Sequence, residues 1–355
     1  MRPERRAITV LRASLESTPG NLRTSTVSVA PVPAVPSPLR EPPSARPAER
    51  RFGRKARWFA VVAVALLLLG AYLWPARRNY YGKLDDIDVR LDVSYVPESR
   101  DPKQQLDLYL PRLGARPFPV IVFVHGGYWK PLDRRWLQPL LGQYGNVGAA
   151  FARHGVGAAI IGYRQYPQVR DGDDSLDDVS RAIGYVSRTA TDWGGDPKRV
   201  IAIGHSAGGH LVSLLGMDPR ILRRNGVDDG AVAGFVSVDG IFDLSATLGY
   251  LKTEQAAILR ELFGPDDASL AEHSTIAYAR AEHPPLLFVD STSDDAVCLD
   301  GFRALRARFT RAGSRARFVE LDGLGHNETT VRVGMDDDPV LPTLLEFVAS
   351  LRASP

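Results

Sequence analysis

The seven residues Gly204-His205-Ser206-Ala207-Gly208-Gly209-His210 constrain this chain more than any other stretch. They follow the apolar run Val200 to Ile203 and lead into the helix-like segment His210 to Leu215. The order predicts a strand, a sharp turn and a helix with Ser206 at the apex. A turn that tight strains the backbone at its apical residue and leaves no room for bulky neighbours, so small residues are expected around the serine. Ser206 would then stand clear of a sheet as a nucleophile. A bare Gly-x-Ser-x-Gly string also occurs as an ordinary glycine turn, and the rest of the chain must separate the two.

Beyond residue 80 the segments Ile87 to Val96 and Gln105 to Leu110 alternate polar and apolar residues, as half-exposed outer strands do, and suit an antiparallel opening hairpin. Six later runs, at 120–124, 158–161, 200–203, 235–238, 286–289 and 318–321, are mostly apolar and read as strands covered on both faces. Between them lie helical periods. Leu176, Val179, Ile183 and Val186 follow a capping signature at Ser175 and Asp178, and Leu344, Phe347, Val348 and Leu351 close the chain. Strands alternating with helices predict an α/β fold: a doubly wound, mainly parallel sheet of eight strands with reactive residues at the strands' C-terminal ends. Residues 240–283 exceed an ordinary connection, contain a helical stretch from Thr253 to Leu262, and are expected to form a small cap.

Ahead of this domain, residues 1–57 are rich in Arg, Pro, Ser and Ala without an apolar period, and read as a disordered tail. Charge divides with the same boundary. The whole chain carries +3, the tail +8 and Arg77 with Arg78 another +2, which leaves residues 79–355 at −7. The basic excess is thus not on a folded face, and no nucleic-acid partner is expected. Trp58 to Trp74 are 17 uncharged, mostly apolar residues bracketed by Arg54 to Arg57 and by Arg77-Arg78. At 1.5 Å per residue they extend about 26 Å, so a single transmembrane helix over 58–74 is expected, with the lipid bilayer as its partner. Six Arg or Lys precede it between Arg46 and Arg57 and four follow by Arg90, a bias that places the tail inside and the domain outside the cytoplasm. Residues 75–85 then read as a linker and 86–353 as the catalytic domain. Cys298 is the only cysteine, which excludes an internal disulfide framework.

A serine hydroxyl needs a base, and that base an orienting carboxylate. Acyl transfer also needs backbone amides waiting for the developing oxyanion. His125-Gly126-Gly127-Tyr128-Trp129, directly after the strand at 120–124, is a place where glycines let amides approach closely. No His-Glu-x-x-His motif, Cys/His cluster, P-loop or dinucleotide fingerprint occurs, so neither a metal nor a cofactor is expected.

Together with GHSAGG at 204–209, the segments LDLYLP at 106–111, HGGYW at 125–129, YRQYPQ at 163–168 and GGDPKRV at 194–200 resemble the α/β-hydrolase superfamily. Within it, they resemble the small carboxylesterases related to hormone-sensitive lipases, isoprenylcysteine methylesterases and kynurenine formamidases. The resemblance covers residues 90–352 and implies the α/β-hydrolase fold with the chain order serine, acid, histidine. His273, His283 and His326 follow the serine, and only His326, in Asp322-Gly323-Leu324-Gly325-His326, follows the strand that should deliver the acid. That acid lies among Asp290, Asp294 and Asp295; Asp294 is chosen for its reach as a loop residue. The resemblance thus implies a catalytic set of Ser206, Asp294 and His326, an oxyanion hole from Gly126, Gly127 and Ala207, and Tyr128, Trp129 and Tyr166 near the substrate. Two departures stand out: Tyr128 where relatives often have a third glycine, and Asp290-Ser291 where many carry His-Gly.

The expected function is a membrane-anchored serine hydrolase that cleaves a small-molecule carboxylic ester through an acyl-enzyme. Hydrolysis of an amide, as by an arylformamidase or peptidase, uses the same residues and is the alternative. A non-catalytic binding module is the remote one. Acyl length, alcohol group and oligomeric state are not encoded in any motif.

Overall fold

A computed structural model describes residues 49–82 and 84–351. Residues 1–48, most of the expected disordered tail, lie outside the described residues. Eight strands form one sheet in the order β1-β2-β4-β3-β5-β6-β7-β8. These are β1 Ile87–Ser94, β2 Gln105–Pro111, β3 Phe118–Val124, β4 Gly157–Ile161, β5 Gly195–His205, β6 Gly234–Val238, β7 Leu286–Ser291 and β8 Arg317–Leu321. The pairs β1–β2 and β2–β4 are antiparallel, and every pairing from β4 through β8 is parallel.

The sequence period decides what each face buries. Along β3, Val120, Val122 and Val124 join one apolar layer with Leu176, Val179 and Ile183 of the helix Gly172–Thr189 and with Leu211 and Leu215 of the helix Ala207–Met217. Ile121 and Phe123 point the other way, to Val147 and Phe151 of the helix Gly145–Arg153 and Leu344 and Phe347 of the helix Val340–Ser350. Each fully buried Val or Ile contributes about 1.5–3 kcal/mol, so two full layers suffice to hold a twisted parallel sheet. Residues 240–283 carry the short helices Leu244–Thr247, Thr253–Phe263 and Asp267–Glu272. Through Ile258, Leu259, Leu262 and Phe263 this insertion joins the first of those layers.

Two expectations are corrected, and a third finding bears on the helix ahead of the domain. β2 is not an outer strand: it lies between β1 and β4, and six of its seven residues are buried. Its polar alternation is deceptive because Asp107 is buried against Arg134 and Arg135, whose nitrogens lie 3.2 and 2.6 Å from its Oδ1. Next, residues 75–85 are not an open linker. One helix runs Glu49–Tyr81 with Pro75 inside it, and its last turn docks on the domain, where the Asn79 side chain donates to the Val333 carbonyl at 2.9 Å and Tyr80 meets Tyr109. Finally, among the described residues no single helix is long and apolar enough to cross a membrane. The two parts that approach this, Lys55–Ala71 and Leu73–Asp86, meet at 43°. Pro75 accounts for the bend, because its ring clashes with the carbonyl four residues back, at Ala71.

Candidate active site

β5 ends at His205 and the helix Ala207–Met217 begins two residues on, so Ser206 alone makes the turn. Its φ of 56° lies in the left-handed region that a non-glycine residue enters only at a cost. The surrounding fold holds it there. The Ser206 amide donates to the Val238 carbonyl at 2.9 Å, and the Ser206 carbonyl accepts from the His210 amide at 3.0 Å. Strand and helix meet so closely that a Cβ on Gly204 would lie 2.1 Å from the Gly208 carbonyl oxygen, which explains glycine at that place.

His326 reaches Ser206 from the loop after β8. The Ser206 hydroxyl donates to His326 Nε2 at 2.9 Å, and His326 Nδ1–H donates to Asp294 Oδ1 at 2.7 Å. A carboxylate only accepts, so the proton of the neutral ring sits on Nδ1 and Nε2 is left to accept from the serine. The Asp294 amide donates to the Ser291 carbonyl at 3.0 Å, closing a tight turn directly after β7. Ser291 also ties the two loops together: its hydroxyl donates to the Leu324 carbonyl at 2.5 Å and accepts from the Leu324 amide at 3.0 Å. Of the three candidate acids, Asp294 touches the imidazole, Asp290 lies behind it on β7, and Asp295 flanks the helix Ala296–Arg311.

The glycine turn after β3 lies against the serine. A Cβ on Gly126 would stand 2.8 Å from Ser206 Cβ, so this close approach requires glycine. The Gly126 amide faces the phenol of buried Tyr144, whose pKa is raised by desolvation and pulled partly back by that amide. Ala207, whose amide is expected beside this turn, opens the N-terminal turn of its helix. Tyr128 and Trp129 both take positive φ, 52° and 54°. Tyr128 is half-buried beside the acid loop, its phenol pushed up to about 12 by desolvation, with Cys298, Asp295 and Asp294 adding to the rise. Trp129 departs from the expectation of a pocket residue: it is 1% exposed and packs edge-on against His210 and Phe263. Tyr166 is tied to this turn by its amide, which donates to the Trp129 carbonyl at 3.0 Å.

Three residues that sequence reasoning did not single out support the centre. His205 Nε2–H donates to the His326 carbonyl at 2.9 Å, and burial drives the His205 pKa down to about 3, so the ring is neutral. The Thr329 hydroxyl donates to Asp239 Oδ2 and lies 2.9 Å from the His326 carbonyl. Asp239, directly beyond β6, has a carboxyl held well above the usual range by desolvation and by the charge of Asp294. His205 was the most accessible of these to sequence reading, because it precedes the nucleophile on the same strand. Carboxylate oxygens of Asp239, Asp290 and Asp294 lie within 4.8 Å of one another, as do polar side-chain atoms of His205, Asp239 and His326 and of Asp294, Cys298 and His326.

A strained serine between a parallel strand and a helix, on an eight-stranded sheet with its acid and histidine after the seventh and eighth strands, defines an α/β-hydrolase fold. The BD-FAE family model matches residues 106–309, more than half of the chain, and the chain belongs to that family. It is 25% identical over 300 residues to a probable isoprenylcysteine alpha-carbonyl methylesterase of Arabidopsis thaliana, covering 79% of this chain and 60% of the relative. Esterase LipQ of Mycobacterium tuberculosis is 26% identical over 246 residues, covering 66% of this chain and 56% of its own length. The chain thus spans about three fifths of the length of these curated relatives. Among solved structures, esterase B from Lactobacillus rhamnosis superposes with a TM-score of 0.64 at 22% identity, covering 82% of this chain and 96% of that one, and shares the fold.

Proposed function

We propose that this protein is a membrane-anchored serine hydrolase that cleaves small carboxylic esters through a Ser206-His326-Asp294 triad. The observation that carries the reading is the unbroken hydrogen-bonded chain from the Ser206 hydroxyl through His326 to Asp294. Serine attacks the ester carbonyl while His326 takes its proton, with Asp294 fixing the ring's tautomer. The tetrahedral oxyanion turns toward the amides of Gly127 and Ala207, and each such donor typically contributes about 3 kcal/mol. Gly126 supplies the space in which that oxygen forms. The alcohol leaves with the proton from His326, and water activated by the same imidazole then releases the acid. The esterase names among the relatives favour an ester over an amide bond.

A fluorophosphonate probe tests the nucleophile. Purified protein should be labelled, Ser206→Ala should not, and ester hydrolysis should fall at least about 10⁴-fold in Ser206→Ala and His326→Ala. Equal labelling of wild type and Ser206→Ala would end the assignment. Nitrophenyl esters of increasing chain length, beside formyl-kynurenine, then separate ester from amide preference.

Anchoring rests on the helix ahead of the domain. Trp58, Leu66, Leu67, Leu68 and Trp74 are all more than 60% exposed, an apolar surface that water does not favour and a bilayer does. Basic residues at both ends fit lipid headgroups. Fractionation should place the full chain with membranes and a chain starting at residue 79 in the soluble fraction. A reporter fused at Pro355 should be active only outside the cytoplasm; cytoplasmic activity would reverse the orientation.

A further inference from the structure

Behind the His326–Asp294 pair lies an arrangement that the proposed triad does not use. Asp239, Asp290 and Asp294 come from the ends of β6 and β7, all buried, with carboxylate oxygens within 4.8 Å of one another. Asp290 is fully buried, and apart from the neighbouring Ser291 amide neither of its oxygens meets a donor among the described residues. Asp294 Oδ2 is in the same position, while Oδ1 serves His326 and the Asp295 amide. No lysine or arginine pairs with any of the three among the described residues. The groups that face Asp290 are Asp294, Asp239 and the neighbouring Ser291 amide, with Glu320 beside it in register on β8 and Cys298 on the helix Ala296–Arg311. His326 and His205 lie beyond Asp294 and Asp239, the latter with Nε2 3.8 Å from Asp239 Oδ2.

Two ionised carboxylates side by side are both acceptors, and neither satisfies the other. Each would also add an uncompensated charge to a dry site, which costs several kcal/mol. One proton converts the pair into a donor and an acceptor. We propose that Asp290 is a positioning residue, held as a neutral carboxylic acid whose O–H donates to Asp294 Oδ2 and so aims Oδ1 at His326. Burial raises the Asp290 pKa to about 8, with the Asp294 charge and the hydrogen bond shared with Asp294 adding to the rise, against a smaller pull from the Ser291 amide. The pairing is an acid–carboxylate contact behind the imidazole. It rests on the triad reading for its role in turnover, but its protonation is independent of that reading.

The test compares Asp290→Asn, whose amide also donates, with Asp290→Ala, which does not. The folded wild type keeps a proton at Asp290 that the unfolded chain releases near pH 4, so its stability is lost as pH rises from about 4 through about 8. Thermal melts across this range should show a smaller fall in Asp290→Asn than in wild type, whether or not the protein is active. The carboxylic-acid carbonyl stretch in the infrared spectrum at pH 6 should lose one component in Asp290→Asn, leaving that of Asp239. In ester hydrolysis, Asp290→Asn should keep kcat within about twofold, and Asp290→Ala should lose about tenfold in kcat with KM unchanged, as loss of one hydrogen bond to a charged group predicts. Identical pH dependence of wild-type and Asp290→Asn melts would overturn the proposal. So would Asp290→Asn and Asp290→Ala with equal kcat, or a stoichiometric metal ion retained by the wild type and lost with Asp290→Asn. If Ser206→Ala keeps full esterase activity while the melts and the infrared band behave as expected, the triad reading fails and the protonated carboxyl stands.

Discussion

Asp107 on β2 and Asp290 on β7 are both buried on strands of one sheet, yet the first meets two guanidinium groups and the second meets more carboxylates. Arg135 donates to both oxygens of Asp107, at 2.8 and 2.6 Å, and Arg134 lies 3.2 Å from Oδ1. The Asp92 amide adds a further donor at 3.0 Å. Arg135 is held above its ordinary pKa chiefly by its hydrogen bonds to Asp107. At this margin the charge has a structural task, joining the first two strands to the loop after β3, and a counterion is the straightforward answer to burial. Near Ser206 a counterion would compete with His326 for Asp294. A neutral hydroxyl, that of Thr329, serves Asp239 there instead, while the His205 imidazole serves the His326 carbonyl.

The largest effect that separates the two regions is on stability. Arg134 is buried beside Asp107, and removing it as Arg134→Met leaves a carboxylate with half its compensation. Loss of one partner from a buried pair costs about 3–5 kcal/mol, read from the urea midpoint at constant slope. Activity per folded molecule should not change. A cost below about 1 kcal/mol would show that Arg135 alone satisfies Asp107 and would weaken the contrast.

A smaller effect, confined to turnover, belongs to the other region. In Gly126→Ala the new Cβ would stand 2.8 Å from Ser206 Cβ and 3.1 Å from the His205 carbonyl oxygen. Both are backbone-fixed neighbours, so the serine and its turn must shift by a few tenths of an ångström. Displacement on this scale at a reacting atom costs about 10²-fold in kcat, and it should appear in single-turnover acylation while the melting temperature moves little. Unchanged acylation would place the substrate carbonyl away from Gly126.

The difference between the regions also explains what could be read from the chain. The apolar strand runs, the serine turn and the glycine turn after β3 were legible because each is a local pattern whose physical requirement is met within a few residues. His326 and Asp294 were reached through the resemblance, which implies the order serine, acid, histidine, together with the flanking glycine and strand signals. β2 was misread because its alternation looks solvent-facing. What buries Asp107 is a pair of arginines 27 and 28 residues downstream, and no local period reports them. The same limit hid Trp129, whose partners His210 and Phe263 belong to distant helices. Residues 75–85 failed in the opposite sense: they read as a linker after the apolar run, but docking through Asn79 and Tyr80 keeps the helix going to Tyr81.

The smallest expected effect is the sharpest test of how the site manages its charge. Asp239 accepts a hydrogen bond from Thr329, and its carboxyl is held well above the usual range chiefly by desolvation, with the Asp294 charge next. A carboxyl that is already neutral loses little when it becomes an amide of the same shape. Asp239→Asn should therefore cost less than about 1 kcal/mol at pH 7, against the several expected for Arg134→Met at the other margin. Above neutrality the sign turns in the variant's favour. A raised folded pKa means that the wild type loses stability as pH rises, because a buried carboxyl must ionise, whereas the amide has no proton to lose. Urea melts of the two proteins at pH 6 and pH 9 measure this directly, and the gap should narrow or reverse at the higher pH. A cost above about 2 kcal/mol at pH 6 would mean that Asp239 is ionised and that its charge is needed by His205, in which case the two regions handle burial in the same way, with a cation.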